Sequence, residues 1–367
     1  KRMKLLRLTP ALKATSAPYN QFSLGLKATI DQTIFSFHSY EDMQIDNNIE
    51  AFHGSGSILR SYKVLKELIK KNVFDVIHIH NGLTGILFFF AIFPFNLNLL
   101  SKSVFTLHNS WYVLKTRNQF LDFFVMMFSA SVCTCGKSSF ESIPKLIKFF
   151  IGSKMIPVVN GFDNKRIDKV SISKDKDEFF NKESSLKVLC VGTLNNTKNQ
   201  IALLKATEHI DKEMEIIFLG DGTNRKMLEE YSKSISCHKN VFFKGLVSRE
   251  ITIGHMLEAD VSISLSKGEG LPIAVLESMY AGCFLILSNI SPHLEISPPK
   301  SRCIFVDTSD QDQIIESLNY VLSNLSEIRS GRDISKEYST DNFSAERMLE
   351  KYKGIYQSLY DRNKEIK

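Results

Sequence analysis

The chain of 367 residues contains no apolar run long enough to cross a bilayer, no clustered cysteines and no complete glycine fingerprint, and each shortage removes a class of protein. The longest apolar stretch, "GILFFFAIFPFNLNLL" from Gly85 to Leu100, falls short of the roughly 18 to 20 residues of a membrane span and is interrupted by Pro94, so it reads as a buried or interfacial helix. Cys133, Cys135, Cys190, Cys237, Cys283 and Cys303 are scattered without disulfide or ligand spacing, several inside apolar runs, which predicts small core residues in a reducing setting. Cys133 and Cys135 share one face of a strand, the pattern of packing rather than of a metal site. No G-x-S-x-G, H-E-x-x-H or spaced Cys/His cluster occurs. The two-glycine matches at Gly220 to Gly222 and Gly54 to Gly56 lack the third glycine of a dinucleotide loop, so no nicotinamide site is expected. The start "KRMKLLRLTP" is basic without an apolar h-region, and no secretory signal is predicted.

What is present is an ordinary globular composition, 43% hydrophobic and 23% charged, in a chain longer than one core usually organises. Charge is uneven: residues 1 to 170 carry 21 Lys+Arg against 11 Asp+Glu, while the remainder carries an acidic excess. A basic first half suits anionic lipid or an acidic substrate; a solvated basic surface is the plainer alternative.

Short β-rich apolar runs alternate with helical stretches. Strands are expected at "MKLLRL", "TIFSFH", "VIHIH", "SVFTLH", "SVCTC" and "MIPVVN", then at "LKVLCVG", "EIIFLG", "VFFKG", "VSISLS", "CFLILS" and "CIFV", with helices such as "SILRSYKVLKELIKK" between. The rhythm predicts an α/β fold of two Rossmann-like units with buried parallel strands. The expected domains are 1–170 and 186–342, separated by a polar linker at 171–185. A terminal helix at 343–367 carries one apolar face: Met348, Leu349, Tyr352, Ile355, Tyr356 and Leu359.

Open α/β sheets place ligands beyond the carboxyl ends of their strands, and the polar motifs fall there. "SKGEGLPIAVLE", Ser266 to Glu277, follows a strand. Gly270, Leu271 and Pro272 turn into a helix whose first amides can face a phosphate, with Glu269 on the loop, Glu277 on the second helical turn and Gly282 as a C-cap. "VLCVGTLNNTKNQ" supplies Gly192, Thr193 and, at a helix entrance, Lys198, a point charge for phosphate. "IIFLGDGTNRKMLEE" supplies Gly222 and Arg225. In the first half His80 and His108 each end a strand, His108 being the better placed to reach a ligand.

In this order, and over nearly the whole length, these motifs resemble the GT-B glycosyltransferases of family 4, glycosyl transferases group 1. The Glu269-x(7)-Glu277 signature carries most of the likeness, supported by "VVNGFDNKRI", "VGTLNNTKNQ", "LGDGTNRKML", "VFFKGLVSREI" and "DVIHIHN". The resemblance implies two facing Rossmann-like domains, with the C-terminal helix returning to the first. It implies a nucleotide-sugar donor, a UDP-sugar by preference, and a glycan or lipid-linked acceptor in surface polysaccharide or glycolipid synthesis, with retention at the anomeric carbon and neither cofactor nor required metal. Glu277 would hold the donor ribose, Glu269 the transferred sugar, Leu271 and Pro272 with Lys198 the diphosphate, and Gly245 and Leu246 the base; His108 would approach the sugar. The setting implied is cytoplasmic, with peripheral contact to the inner face of the cell membrane and no nucleic acid. Two departures stand out. The family's arginine five residues before the lysine is Thr193 here, with Arg225 or Lys267 as candidate substitutes, and "SAPYNQFSLG" at Ala17 to Gly25 replaces a glycine-rich loop. A nucleotide-sugar-binding protein with impaired catalysis and a GT-B epimerase or phosphorylase are the rival readings.

Overall fold

The computed structural model describes residues 2–12, 18–40, 44–172, 180, 186–235 and 239–365. The chain forms two compact units, Lys1–Gly161 together with Ala345–Lys367, and Phe162–Ser344. Of the expected linker, residues 173–179 and 181–185 lie outside the described residues, as do Cys237 and the start of the Ala17 to Gly25 loop.

The first unit is built on β1 (Lys4–Thr9), β2 (Asp31–Ser36), β3 (Ile49–His53), β4 (Val76–Ile79), β5 (Ser103–Leu107), β6 (Ser131–Thr134) and β7 (Met155–Pro157). They lie in the order β3-β2-β1-β4-β5-β6-β7, every pair parallel. β4 and β5 are buried at every position, because helices cover both faces of the sheet and leave no solvent side for polar residues. β3 has no counterpart among the predicted strands. It is the edge, with exposed and buried positions interleaved, so its residues "IEAFH" never form a continuous apolar run. β2 begins earlier than "TIFSFH", since the ladder to β1 already starts at Asp31.

The predicted helix after Gly54 runs from Ile58 to Lys71, and Ser57 caps it by accepting from the Arg60 amide at 3.3 Å. The Phe-rich run divides. The helix Gly82–Ile92 stops just before Phe93 and Pro94, burying Leu87, Phe88 and Ile92 while Phe90, Phe93 and Phe95 stay exposed at 65%, 66% and 90%. The terminal helix Ala345–Glu365 belongs to this unit: Met348, Leu349, Tyr352, Tyr356 and Leu359 pack on Leu5, Val76, Val104 and Cys133. Its predicted apolar stripe is thus the face laid on the sheet.

The second unit contains β8 (Leu186–Val191), β9 (Met214–Leu219), β10 (Lys239–Gly245), β11 (Val261–Ser264), β12 (Phe284–Ser288) and β13 (Cys303–Val306). The order is β10-β9-β8-β11-β12-β13, again all parallel, around a core that includes Val188, Phe218, Ile263 and Ile286. In each sheet the strand order reverses beside the unit's first strand, at β1/β4 and at β8/β11. Such a switch point parts the flanking loops and opens a crevice at the carboxyl edge. The five described cysteines are free and buried. No helix among the described residues is long and apolar enough to cross a membrane.

Gly82 and Gly85 show how closely the helices pack. A Cβ on Gly82 would lie 2.8 Å from the Asp122 amide nitrogen, and one on Gly85 would lie 2.6 Å from Val125, both on the helix Thr116–Phe128. Gly82→Val is therefore expected to push these helices apart and to destabilise the protein by about 1–3 kcal/mol, read as a lowered denaturant midpoint. An unchanged midpoint would show that the contact is loose.

Candidate functional site

The carboxyl ends of β8, β9 and β10 are tied together through glycine. Gly192 N–H bonds to the Leu219 carbonyl at 2.9 Å, Leu194 N–H to the Asp221 carbonyl at 3.1 Å, and Gly220 N–H to the Gly245 carbonyl at 2.8 Å. A Cβ on Gly220 would fall 2.1 Å from the Gly192 oxygen, and one on Gly222 would fall 2.3 Å from the Leu194 oxygen. The glycines of "LGDG" are therefore required by backbone touching backbone, which accounts for a G-x-G without a dinucleotide loop. Gly192 and Gly245 also hold positive φ, 150° and 71°.

On this platform the Gly192 turn leads to Lys198, just ahead of the helix Gln200–Thr207. Lys198 Nζ contacts Glu269 Oε1 at 2.5 Å, and the same oxygen accepts from Ser266 Oγ at 2.7 Å. Glu269 is buried, so it is not a loose loop charge. Beneath it Ser288 Oγ donates to the Ser266 carbonyl at 2.6 Å, and His293 braces Ser288 through Nδ1 at 3.0 Å. Burial holds His293 down to about 4, with the Glu269 charge opposing, so the brace is a neutral imidazole.

The expected loop-to-helix corner is present. Pro272 occupies the N-cap of Ile273–Tyr280, where no side chain caps the first turn, and Gly282, at φ 90°, follows its end. Gly270 and Leu271 are buried in that corner. Glu277 is 2% exposed and ion-pairs through Oε1 with Arg249; its Oε2 is buried without any hydrogen-bond partner. Burial and the neighbouring Arg166 bring Arg249 down to about 10, which still leaves it charged at neutral pH. The two glutamates thus share one design: a cation on one oxygen, with Oε2 of Glu277 lacking a donor and both recorded bonds of Glu269 falling on Oε1.

Arg249 was not among the residues the sequence singled out. It opens the helix Arg249–Glu258, where a cation opposes the helix dipole, and that misplacement was the available signal that a carboxylate lay opposite. Ser266, Ser288 and His293 carried no such mark. Arg225 is already committed: it meets Glu229 at 2.7 Å, Asp221 at 3.1 Å and the Phe243 carbonyl at 3.1 Å. It frames the Gly245 turn, where its Nη1 lies 2.9 Å from the position of an added Cβ. Lys267 is exposed, and its backbone N–H bonds to the Thr197 carbonyl at 2.8 Å, beside Lys198. Thr193 and Leu246 are exposed. Among the described residues no group of three or more His, Cys, Asp or Glu could hold a metal ion.

His108 belongs to the first unit, at the carboxyl end of β5. It contacts His80 at 2.7 Å, and His80 contacts the buried Arg7 at 2.8 Å. Burial, then Arg7, holds His108 down to about 4; burial likewise pushes His78 and His80 well below the usual imidazole range.

Two parallel Rossmann-like sheets, each open at a switch point, define a GT-B glycosyltransferase fold. A glycosyltransferase from Rickettsia africae superposes with a TM-score of 0.79 over 98% of both chains at 16% identity. Residues 171–336 match the family model described as glycosyl transferases group 1. The Staphylococcus aureus capsular polysaccharide biosynthesis glycosyltransferase CapH is 26% identical over 64% of this chain and 65% of its own length. An Escherichia coli UDP-Gal:α-D-GlcNAc-diphosphoundecaprenol α-1,3-galactosyltransferase is 25% identical over 74% of this chain and 71% of its own. The second unit thus carries the likeness to the group 1 glycosyl transferases, and relatives named as glycosyltransferases extend it beyond that unit.

Four buried histidines and the half-buried His108 predict an acid-sensitive fold. His78, His80, His108, His255 and His293 all have depressed folded values, the last three to about 4. Below the ordinary 6.5 the unfolded chain takes up protons that the native state refuses, so stability is full above about pH 7 and falls as pH drops toward 4. Asp122, pushed up to about 7 by burial, acts in the opposite sense and offsets only part of this. His108, His255 and His293 are each worth about 1–2 kcal/mol between pH 7 and pH 5, and His78 and His80 act in the same direction. The midpoint of thermal unfolding should drop by several degrees over that interval; a flat profile would mean the imidazoles ionise in the fold.

Proposed function

We propose that the protein transfers a sugar from a nucleoside diphosphate donor, a UDP-sugar by preference, to a hydroxyl of a glycan or lipid-linked saccharide in surface polysaccharide or glycolipid synthesis. One observation carries this reading: two buried glutamates, each neutralised on one oxygen, flank an uncapped helix start beside a lysine. The buried Oε2 of Glu277 lacks a donor, a costly state that a ribose hydroxyl would relieve. Glu269, held by Lys198 and Ser266, would present its other oxygen to the transferred sugar. The amides after Pro272 suit a diphosphate, as helix starts do. The turns at Gly245 and Leu246 would frame the base, and Gly192, Thr193 and Gly222 would line the phosphate side.

Departure of the diphosphate develops negative charge, and fixed positive groups are the usual means of stabilising it. Lys198 would supply that charge and the helix start its dipole. With Thr193 in place of arginine, Lys267 is the better second cation, because Arg225 is engaged by two carboxylates. The reaction proposed proceeds with retention and routes no step through a metal. His108 would meet the sugar from the first unit.

The choice of a lipid-linked acceptor draws on the name of the Escherichia coli relative and on the first unit's surface. Phe90, Phe93, Phe95, Phe120, Phe149 and Phe150 are all exposed, at 55% or more. The segment 76–161 holds seven Lys+Arg and only two acids, Asp122 and Glu141, the first of them buried. Aromatic rings among cations suit the interface of an anionic leaflet on the cytoplasmic side.

Lys198→Met is expected to lower kcat about 10²- to 10³-fold with a UDP-sugar, whereas Glu277→Gln should raise the donor KM about tenfold. Wild-type rates in both variants would remove this site assignment. Nucleotide release that needs no acceptor, giving an isomerised sugar, would favour an epimerase. Binding without turnover on any donor would favour an inactive relative. For the surface, Phe149→Asp with Phe150→Asp should abolish co-sedimentation with anionic phospholipid vesicles while leaving the unfolding midpoint unchanged. Retained sedimentation would exclude this face.

A further inference from the structure

Arg7 is fully buried in the first unit, and its recorded partners include no carboxylate. Its Nη1 lies 3.0 Å from His78 Nδ1 and 2.8 Å from His80 Nε2, its Nη2 lies 3.4 Å from Gln32 Oε1, and its guanidinium sits over the Phe22 ring. A guanidinium offers only N–H donors. Each imidazole nitrogen facing it must therefore present a lone pair, and this settles the protons along the chain. His80 accepts at Nε2, so its single proton is on Nδ1. That proton points at His108 Nε2, 2.7 Å away, with the two ring planes 22° apart. His108 Nε2 is then an acceptor, which leaves the proton of a neutral His108 on Nδ1, an atom with no hydrogen-bond partner among the described residues. The side branch is consistent: His78 accepts from Arg7 at Nδ1, where Tyr356 Oη also lies at 2.6 Å, and donates from Nε2 to Thr106 Oγ1 at 2.7 Å.

We propose that Arg7 is a positioning residue that, through His80, fixes His108 as a neutral imidazole protonated on Nδ1, so that His108 meets its ligand as a hydrogen-bond donor to an oxygen. The position suits this task, since His108 directly follows β5 at the edge of the sheet where α/β units receive ligands. A donor of this kind would orient a sugar oxygen and could not withdraw a proton through Nε2, whose lone pair already faces His80. The ligand's chemistry rests on the proposed transfer reaction; the proton's location does not.

Long-range ¹H–¹⁵N correlation of the imidazole rings in the full chain labelled with ¹⁵N-histidine, with His108 assigned through His108→Gln, tests the proposal at pH 7.5 without ligand. The expected pattern is the Nδ1–H tautomer for His108. It should persist in Arg7→Lys, whose ammonium is also purely a donor, and give way to an Nε2–H or mixed pattern in Arg7→Met and in His80→Phe. An Nε2–H signature in the wild type overturns the proposal even if neither variant folds, and so does an unchanged His108 pattern in a folded Arg7→Met. In transfer assays Arg7→Met should lower kcat by about tenfold with the donor KM unchanged, and Arg7→Lys should recover most of the loss. If no transfer is detected in any form, the proposed reaction fails while the ring spectra still decide the tautomer.

Discussion

A carboxylate taken out of water must find a partner for each oxygen, and the second unit leaves that requirement half met. Glu277 gives one oxygen to Arg249 and keeps the other buried and unpaired. Glu269 gives one oxygen to both Lys198 and Ser266. Removing either cation would leave an uncompensated buried charge, among the costlier defects a fold can carry. The cations therefore allow acidic groups to sit within a largely apolar corner, and in the proposed reading the unpaired Oε2 of Glu277 is what that corner would offer a ligand. The supports lie elsewhere in the sheet: Ser288 and His293 hold the Ser266 loop, and the Arg249 helix starts from a capping Ser248.

That corner depends on how nearly the strand ends touch. The turns after β8, β9 and β10 pass at distances that exclude a Cβ, and their amides and carbonyls bond to one another instead of to solvent. Glycine here serves contact between backbones more than contact with a ligand. A platform stitched in this way positions Lys198 without relying on a mobile loop, and pre-organised charge costs the least reorganisation when a leaving group departs.

Much of this was legible because buried parallel strands write continuous apolar runs, and the polar residues that follow each run fall at the ligand edge. Glu269, Glu277, Lys198 and Pro272 were expected at that edge by the same logic, and the fold brings Lys198 against Glu269 there. β3 was not, since an edge strand alternates and its run is broken by Glu50. Ser266, Ser288 and His293 were missed because nothing local distinguishes a bracing serine from any other; their roles arise from residues brought together across the sheet. Arg249 left a trace, a cation at a helix start, but a trace readable only with its partner in view. Arg225 shows what local sequence leaves out: a lone arginine after a glycine turn suggested phosphate, and Asp221 and Glu229, four residues to either side, engage it in the fold.

The two units handle buried charge in contrasting ways. In the second, the buried carboxylates of Asp260, Glu269 and Glu277 each have a cation beside them. In the first, Arg7 stands among neutral groups whose lone pairs and rings must do the solvating. An unpaired guanidinium cannot lose its proton at any ordinary pH, so the adjustment falls on its neighbours. Imidazole is the one side chain that can meet a fixed cation as an acceptor on one nitrogen and still pass a proton onward from the other. Three histidines, His78 within β4 and His80 and His108 just past the ends of β4 and β5, are therefore explained together: His78 closes the network inward on the terminal helix through Tyr356, while His80 carries its direction outward to His108. The terminal helix is thus joined to the polar end of the sheet as well as to its apolar face, which ties the last residues of the chain to the geometry at the ligand edge.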